Sequence, residues 1–250
     1  MISNQGILVE TKIASELNGR KISELNTNFK QMMIYLYGVV RNSEEVICDK
    51  VIGKLKPDIY VEYMGERKYI SIKTGNATVI HTENIKTFCI FLRELGISNR
   101  TLQTILLHHY GDGTLDGSGE FRYSSMEIKG KLSQRIKEAN EELNQSKEFV
   151  LKVLERCLIS GVCEGATRID GLYFGDEKNG QIVTRNMLIH YIEKSDWSWT
   201  ENLHIGPMHI RPNARYAHEE IKSELKRSRT YIYWPNLSAD IAYVARKFNP

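Results

Sequence analysis

Two short segments carry the residue types best suited to catalysis. Pro57-Asp58 is followed, after twelve intervening residues, by Ser71-Ile72-Lys73. A carboxylate beside a lysine suits metal-assisted hydrolysis of a phosphodiester. The carboxylate would hold Mg²⁺, which polarises the phosphate and lowers the pKa of a bound water. The lysine would stabilise developing charge or orient the nucleophile. This chemistry requires the two segments to lie side by side.

The residues between these segments predict a β-hairpin. KPDIYVEYM (56–64) alternates apolar and polar residues, Gly65-Glu66 is a turn signal, and RKYISIKTG (67–75) returns as a strand. A loop of two or four residues centred on this turn sets Asp58 opposite Lys73. Because side chains alternate along a strand, Asp58, Ser71 and Lys73 then share one face. A loop of three residues would break this register.

The flanking sequence predicts the elements that must support the hairpin. Apolar residues recur at helical spacing from Ile22 to Leu36, and VICDKVIGKL (46–55) is strand-like. Residues 82–96 have the pattern of a helix capped by Thr82, and TLQTILLHHY (101–110) has that of a buried strand. The predicted order is α-β-β-β-α-β, an α/β fold with a mixed sheet.

Glu83 is the candidate for a second metal ligand, since a single carboxylate is a sparse Mg²⁺ site. It lies ten residues after Lys73, in the first turn of the predicted helix 82–96. A glutamate there also interacts favourably with the helix N-terminus, so an ordinary first-turn acid remains an equal alternative. Asp58 and Lys73 have their own structural alternative, a strand-entry residue and a solvated charge at a strand end.

The segment KPDIYVEYMGERKYISIKTG resembles the active-site hairpin of the PD-(D/E)xK nuclease superfamily, which includes many type II restriction endonucleases. The resemblance implies that Asp58 binds the metal and that Lys73 is the catalytic lysine. Ser71 stands where the family usually has an acid. Some restriction enzymes with a serine there recruit a glutamate from the following helix, and Glu83 is the natural replacement. The implied cofactor is Mg²⁺, with Mn²⁺ as an alternative, held by Asp58 and Glu83.

The resemblance also suggests roles for a glutamate on the first core helix, for His81 and for Ser71. In many members a glutamate on the first core helix assists, and here Glu24, or less favourably Glu16, is expected to do so. His81 is a candidate for phosphate contact or proton transfer, with an ordinary loop residue as the alternative. Ser71 would line the site or hydrogen-bond a metal-bound water.

The C-terminal half carries basic and aromatic residues in alternation. GDGTLDGSGE (111–120) indicates a linker, so we expect a nuclease-like core at 1–110 and an α+β region at 111–250, which could share one hydrophobic core. Interleaved cations and aromatic rings could follow a nucleic-acid backbone and stack on bases. The alternative is a solvated helix whose cations pair with Glu219 and Glu220. The candidate nucleic-acid ligands are Arg211, Arg215, Lys226, Arg227 and Arg229.

Composition excludes several classes. The net charge of +3 over 250 residues is too small to indicate nucleic acid by itself, and no apolar run approaches the ~20 residues needed to span a membrane. The N-terminus lacks a basic stretch followed by an apolar one, which predicts a cytoplasmic protein. The hairpin residues and the family that they resemble imply a Mg²⁺-dependent DNA endonuclease, with RNA a less favoured substrate and a homodimer plausible. The alternative is a non-catalytic nucleic-acid-binding or interaction protein that retains the nuclease fold.

Overall fold

The computed structural model describes residues 3–53, 55–75, 78–120, 122–162, 167–197, 200–213 and 225–247. In chain order the described elements are α1 (Ser3–Leu17), β1 (Arg20–Lys21), α2 (Thr27–Tyr37), β2 (Glu45–Lys50), β3 (Ile59–Tyr63), β4 (Glu66–Lys73), β5 (Val79–Asn84), α3 (Ile85–Glu94), α4 (Asn99–Tyr110), α5 (Ser125–Lys131), α6 (Ser133–Leu143), α7 (Lys147–Leu154), β6 (Gly171–Gly175), β7 (Gly180–Thr184), α8 (Arg185–Lys194), β8 (His204–Ile205), β9 (Met208–Pro212), β10 (Arg229–Tyr233) and α9 (Leu237–Lys247). None of the described helices is long and apolar enough to cross a membrane.

The chain divides into two compact units that are not contiguous in sequence. Unit 1 comprises Met1–Thr78, Leu154–Lys194 and Asn236–Pro250, and unit 2 comprises Val79–Val153 and Ser195–Pro235. The first division therefore falls after residue 78 rather than at 110. Later segments complete unit 1, because strand β6 pairs with β4.

Unit 1 contains a six-stranded sheet in the order β1-β2-β3-β4-β6-β7. All neighbours are antiparallel except β4 and β6, which are parallel. The apolar residues Ile59, Val61, Ile70 and Ile72 share one face of β3 and β4, so this sheet face packs into a core with α1 and α2. The core includes Ile13, Leu17, Phe29, Met32, Met33, Ile59, Val61, Ile70 and Ile72. This mixed sheet with its helices confirms the predicted α/β class.

Unit 2 contains a second, four-stranded antiparallel sheet in the order β5-β10-β9-β8. Helix α3 packs against β5, α4 against β9 and α6 against β8. The buried side chains Met208, Ile210 and Ile232 supply the apolar face of this sheet.

Three local predictions are corrected by the structure. Residues 101–110 are not a strand but most of helix α4, which is capped by Ser98. Their apolar residues are compatible with either element, because a short apolar run has no decisive periodicity. The predicted helix 82–96 begins only at Ile85, with Asn84 rather than Thr82 as its cap. The predicted helix from Ile22 starts only at Thr27, since Asn26 caps it, and it ends at Tyr37 with Gly38 as its C-cap.

Candidate active site

The β3–β4 hairpin turns at Met64-Gly65, one residue earlier than predicted. Both residues have positive φ, 50° and 81°, as a two-residue type I′ turn requires. The register pairs Tyr63 with Glu66 and Ile59 with Ile70. Moving the turn by one residue shifts the pairing by two, so the predicted shared face survives. The partner of Asp58 changes, however: it contacts Ser71 instead of standing opposite Lys73.

The backbone of Asp58 is held on both sides, although the residue precedes the regular strand. Its N–H donates to the Ile70 carbonyl at 2.8 Å, and its carbonyl accepts from the Val51 N–H at 3.0 Å. Pro57 is buried directly before it, and its ring fixes φ. Lys56 donates through Nζ to the Cys157 carbonyl. The carboxylate therefore starts from a fixed main-chain position.

The side chains of Asp58, Ser71 and Lys73 form a hydrogen-bonded chain. Oδ2 of Asp58 accepts from the Ser71 hydroxyl at 3.0 Å and from the Ile72 N–H at 2.6 Å. Lys73 Nζ donates to Ser71 Oγ at 3.5 Å. Ser71 is only 2% exposed. Oδ2 accepts both hydrogen bonds, and within the described part of the chain no hydrogen bond is donated to Oδ1. The carboxylate is thus oriented with one oxygen available.

A second carboxylate, Glu10 on α1, lies near this chain. It forms an ion pair with Lys50 at 3.2 Å. Burial raises the pKa of Glu10, the negative charge of Asp58 raises it further, and Lys50 and Lys73 oppose the shift. Two carboxylates that repel each other beside two lysines are an arrangement that a divalent cation would stabilise.

Sequence reasoning missed Glu10 because α1 was not recognised as a helix. The two glutamates it proposed have other partners: Glu24 caps the turn at Lys21, accepting its N–H at 3.1 Å, and Glu16 pairs with Arg20. The sequence does contain a helical pattern that includes Glu10, because Glu10 lies three residues before Ile13 and seven residues before Leu17. That spacing sets it on the helix face that is buried against the sheet.

Glu83 and His81 belong to unit 2 and lie on strand β5, not in the first turn of a helix. They occupy alternate positions on one strand face, both 9% exposed. His81 Nε2 and Glu83 Oε1 are 2.9 Å apart. Their catalytic and metal-binding roles stay predictions. Among the described residues, no group of three or more His, Cys, Asp or Glu side chains is arranged to hold a metal ion.

The proposed nucleic-acid ligands differ in their surroundings. Three of them are exposed, namely Arg211 on β9, Arg229 on β10, and Lys226, which precedes β10. Arg227 is half-buried and donates to the Gly117 carbonyl, while its own carbonyl accepts from His109 Nε2 at 2.6 Å. These bonds give Arg227 a structural function within unit 2. Arg215 lies outside the described residues.

Comparison with known proteins bears on the fold alone. No family model and no curated protein matches the chain. Among solved structures, the chain is similar to restriction endonuclease MspI in complex with its cognate DNA, with a TM-score of 0.53 and 13% sequence identity. The similarity covers 92% of this chain and 89% of that one. The chain therefore has a restriction-endonuclease-like α/β fold, which it shares with MspI.

Proposed function

We propose that the protein is a metal-dependent endonuclease that hydrolyses phosphodiester bonds in DNA. The observation that carries this proposal is the hydrogen-bonded chain of Asp58, Ser71 and Lys73 on one hairpin. It combines an oriented carboxylate, which could hold a metal ion, with an adjacent ammonium group, which could stabilise charge on the phosphate.

The donor set fits Mg²⁺ or Mn²⁺, because these ions take carboxylate oxygens and commonly need only one or two of them besides substrate phosphate and water. Asp58, through Oδ1, and Glu10 would hold the ion. A bound Mg²⁺ would polarise the phosphate and lower the pKa of a coordinated water. Glu83 remains the ligand predicted from sequence, and Glu83→Gln tests it by its effect on the Mg²⁺ concentration required.

Ser71 and Lys73 would orient the carboxylate and stabilise charge on the phosphate. Ser71 fixes the carboxylate by donating to Oδ2, so Asp58 needs no reorientation on binding. Lys73 carries a positive charge at the end of β4, where it would stabilise charge on the scissile phosphate or orient the attacking water. His81 is proposed to contact phosphate or assist proton transfer.

DNA is the proposed substrate, since the similar structure is titled as a complex with cognate DNA. Arg211, Lys226 and Arg229 are exposed cations on unit 2 that could contact phosphates or bases. Arg215 is proposed with them from the sequence. Because one catalytic centre cuts one strand at a time, cleavage of both strands would be served by a homodimer.

Plasmid cleavage tests the proposal. Purified protein is incubated with supercoiled plasmid and Mg²⁺ or Mn²⁺, beside Lys73→Ala and the control Lys68→Ala. Lys68 lies on the same strand and pairs with Glu66 at 2.6 Å, so its loss removes a charge without touching Asp58 or Ser71. We expect metal-dependent nicking by the protein and Lys68→Ala, reduced roughly 100-fold or more in Lys73→Ala. Equal cleavage by all three would refute the assignment.

A non-catalytic nucleic-acid-binding protein is the second candidate. Ser71 favours it, because this position holds an acid in most members of the family that the hairpin resembles. This candidate predicts no cleavage of DNA or RNA with either metal, together with salt-sensitive binding. RNA cleavage without DNA cleavage would instead reassign the substrate.

A further inference from the structure

One face of the unit 2 sheet is polar and positively charged. Side chains alternate along β9 and β10, so Met208, Ile210 and Ile232 enter the core while their neighbours point the other way. The register pairs Tyr231 with Arg211 and Tyr233 with His209. We call this outward surface the second-sheet face; it carries His209, Arg211, Arg229, Tyr231 and Tyr233, with Thr82 of β5 opposite Tyr231. Among these described residues there is no carboxylate.

The Arg211 side chain contacts an aromatic ring on this face. Its guanidinium carbon lies 4.7 Å from the centre of the Tyr233 ring. The Tyr233 ring also contacts the imidazole of His209 edge-on, with the two ring centres 5.2 Å apart. The Arg211 carbonyl accepts from the buried Thr230 hydroxyl at 3.0 Å, so the backbone is anchored too. A stacked guanidinium keeps its N–H edge free for in-plane hydrogen bonds.

Arg211 is also accessible. Strand β8 pairs only with Met208 and His209 of β9, so Arg211 lies past the end of β8. The side chain is exposed, and none of the ion pairs between described residues includes it. An arginine that contacts an aromatic ring and has no acidic partner among the described residues can donate two parallel hydrogen bonds to a pair of acceptors on a ligand.

We propose that Arg211 reads a guanine in the major groove of the DNA substrate, and that the second-sheet face is a sequence-recognition surface. This inference rests on the proposed function. Guanine presents O6 and N7 side by side in the major groove, which matches the two parallel N–H groups of a guanidinium. A phosphate binds a lysine point charge as well as a guanidinium. Bidentate recognition of a base requires a restricted guanidinium, and the Tyr233 ring, 4.7 Å from the guanidinium carbon, restricts Arg211, so this contact favours base recognition.

Selection from random duplex DNA tests this inference. Full-length Lys73→Ala protein, which should bind without cutting, is used in Ca²⁺ to recover bound sequences. The same selection is run with Arg211→Ala and, as a matched control, Arg100→Ala, each added to Lys73→Ala. Arg100 is an exposed arginine of unit 2 on helix α4, where it pairs with Glu138 at 2.6 Å, and it is not part of the second-sheet face. We expect an enriched motif with a guanine whose preference falls about tenfold or more in Arg211→Ala only.

A change on the DNA side tests the same contact in protein that keeps Arg211. That guanine is replaced by 7-deazaguanine, which lacks the N7 acceptor. We expect affinity to fall about tenfold for protein with Arg211 and to stay unchanged for Arg211→Ala. An unchanged motif in Arg211→Ala, equal losses with 7-deazaguanine, or sequence-independent binding by the parent would overturn the inference and leave the proposed function intact. Absence of both DNA binding and cleavage would overturn both.

Discussion

Replacement of Ser71 by alanine should slow Mg²⁺-dependent cleavage about tenfold. The substitution removes the hydroxyl that lies 3.0 Å from Asp58 Oδ2 and 3.5 Å from Lys73 Nζ. A hydrogen bond to a charged group contributes about 1.5–3 kcal/mol. The Ile72 N–H, at 2.6 Å, still holds the same oxygen, so we expect the lower end of that range. About 1.4 kcal/mol of barrier corresponds to a factor of ten in rate.

Single-turnover cleavage of supercoiled plasmid, measured across Mg²⁺ concentrations, provides the assay. Ser71→Cys serves as the matched control, because it keeps a side chain of similar size with a weaker donor. Its rate should fall between those of the parent and Ser71→Ala. A rate for Ser71→Ala equal to the parent would refute the orienting role. A loss as large as that of Lys73→Ala, in a protein of normal stability, would also refute it, because Ser71 would then do more than orient Asp58.

Three further predictions concern other parts of unit 1 and unit 2. Glu10→Gln should raise the Mg²⁺ concentration for half-maximal cleavage about tenfold while the exposed control Glu16→Gln does not; equal values would exclude Glu10 as a ligand. Met64→Gly should raise the free energy of unfolding by about 0.5–1 kcal/mol in urea titrations, because Met64 has a φ of 50°; a lower value would contradict the strained turn. Burial lowers the pKa of His209 from 6.5 to about 4, so the unfolded chain takes up the proton first and stability falls as pH drops through that interval. The loss should be at most about 3 kcal/mol and smaller in His209→Gln; identical pH dependence of the two proteins would contradict it.

The hairpin was predictable because its two determinants are local. Alternation from Ile59 to Tyr63 and from Ile70 to Ile72 fixes which side chains share a face. The turn was misplaced by one residue because Met64, an unusual residue for positive φ, occupies the first turn position beside Gly65. A shift of one residue in the turn preserves the face and changes only the partner, so the grouping of Asp58, Ser71 and Lys73 survived.

The missed features depend on contacts distant in sequence. Strand β6 at 171–175 completes the sheet beside β4, and a parallel pairing across about 100 residues leaves no local pattern at either strand. The run 101–110 was predicted to be a strand because its apolar residues fit a buried strand as well as a helix. Glu10 was missed because α1 was not recognised as a helix, and its interactions with Asp58 and Lys50 also join residues that are distant in sequence.

A crystal structure of the full chain soaked with Mn²⁺ tests the central claim most directly, because anomalous scattering locates the ion without assumptions about activity. The account predicts an ion peak at coordination distance, about 2.2 Å, from the Asp58 carboxylate, with Ser71 still bonded to the other oxygen. The same map identifies the second carboxylate as Glu10 or Glu83. A saturating soak that leaves Asp58 without an ion, or one that binds Mn²⁺ only elsewhere, would contradict the account.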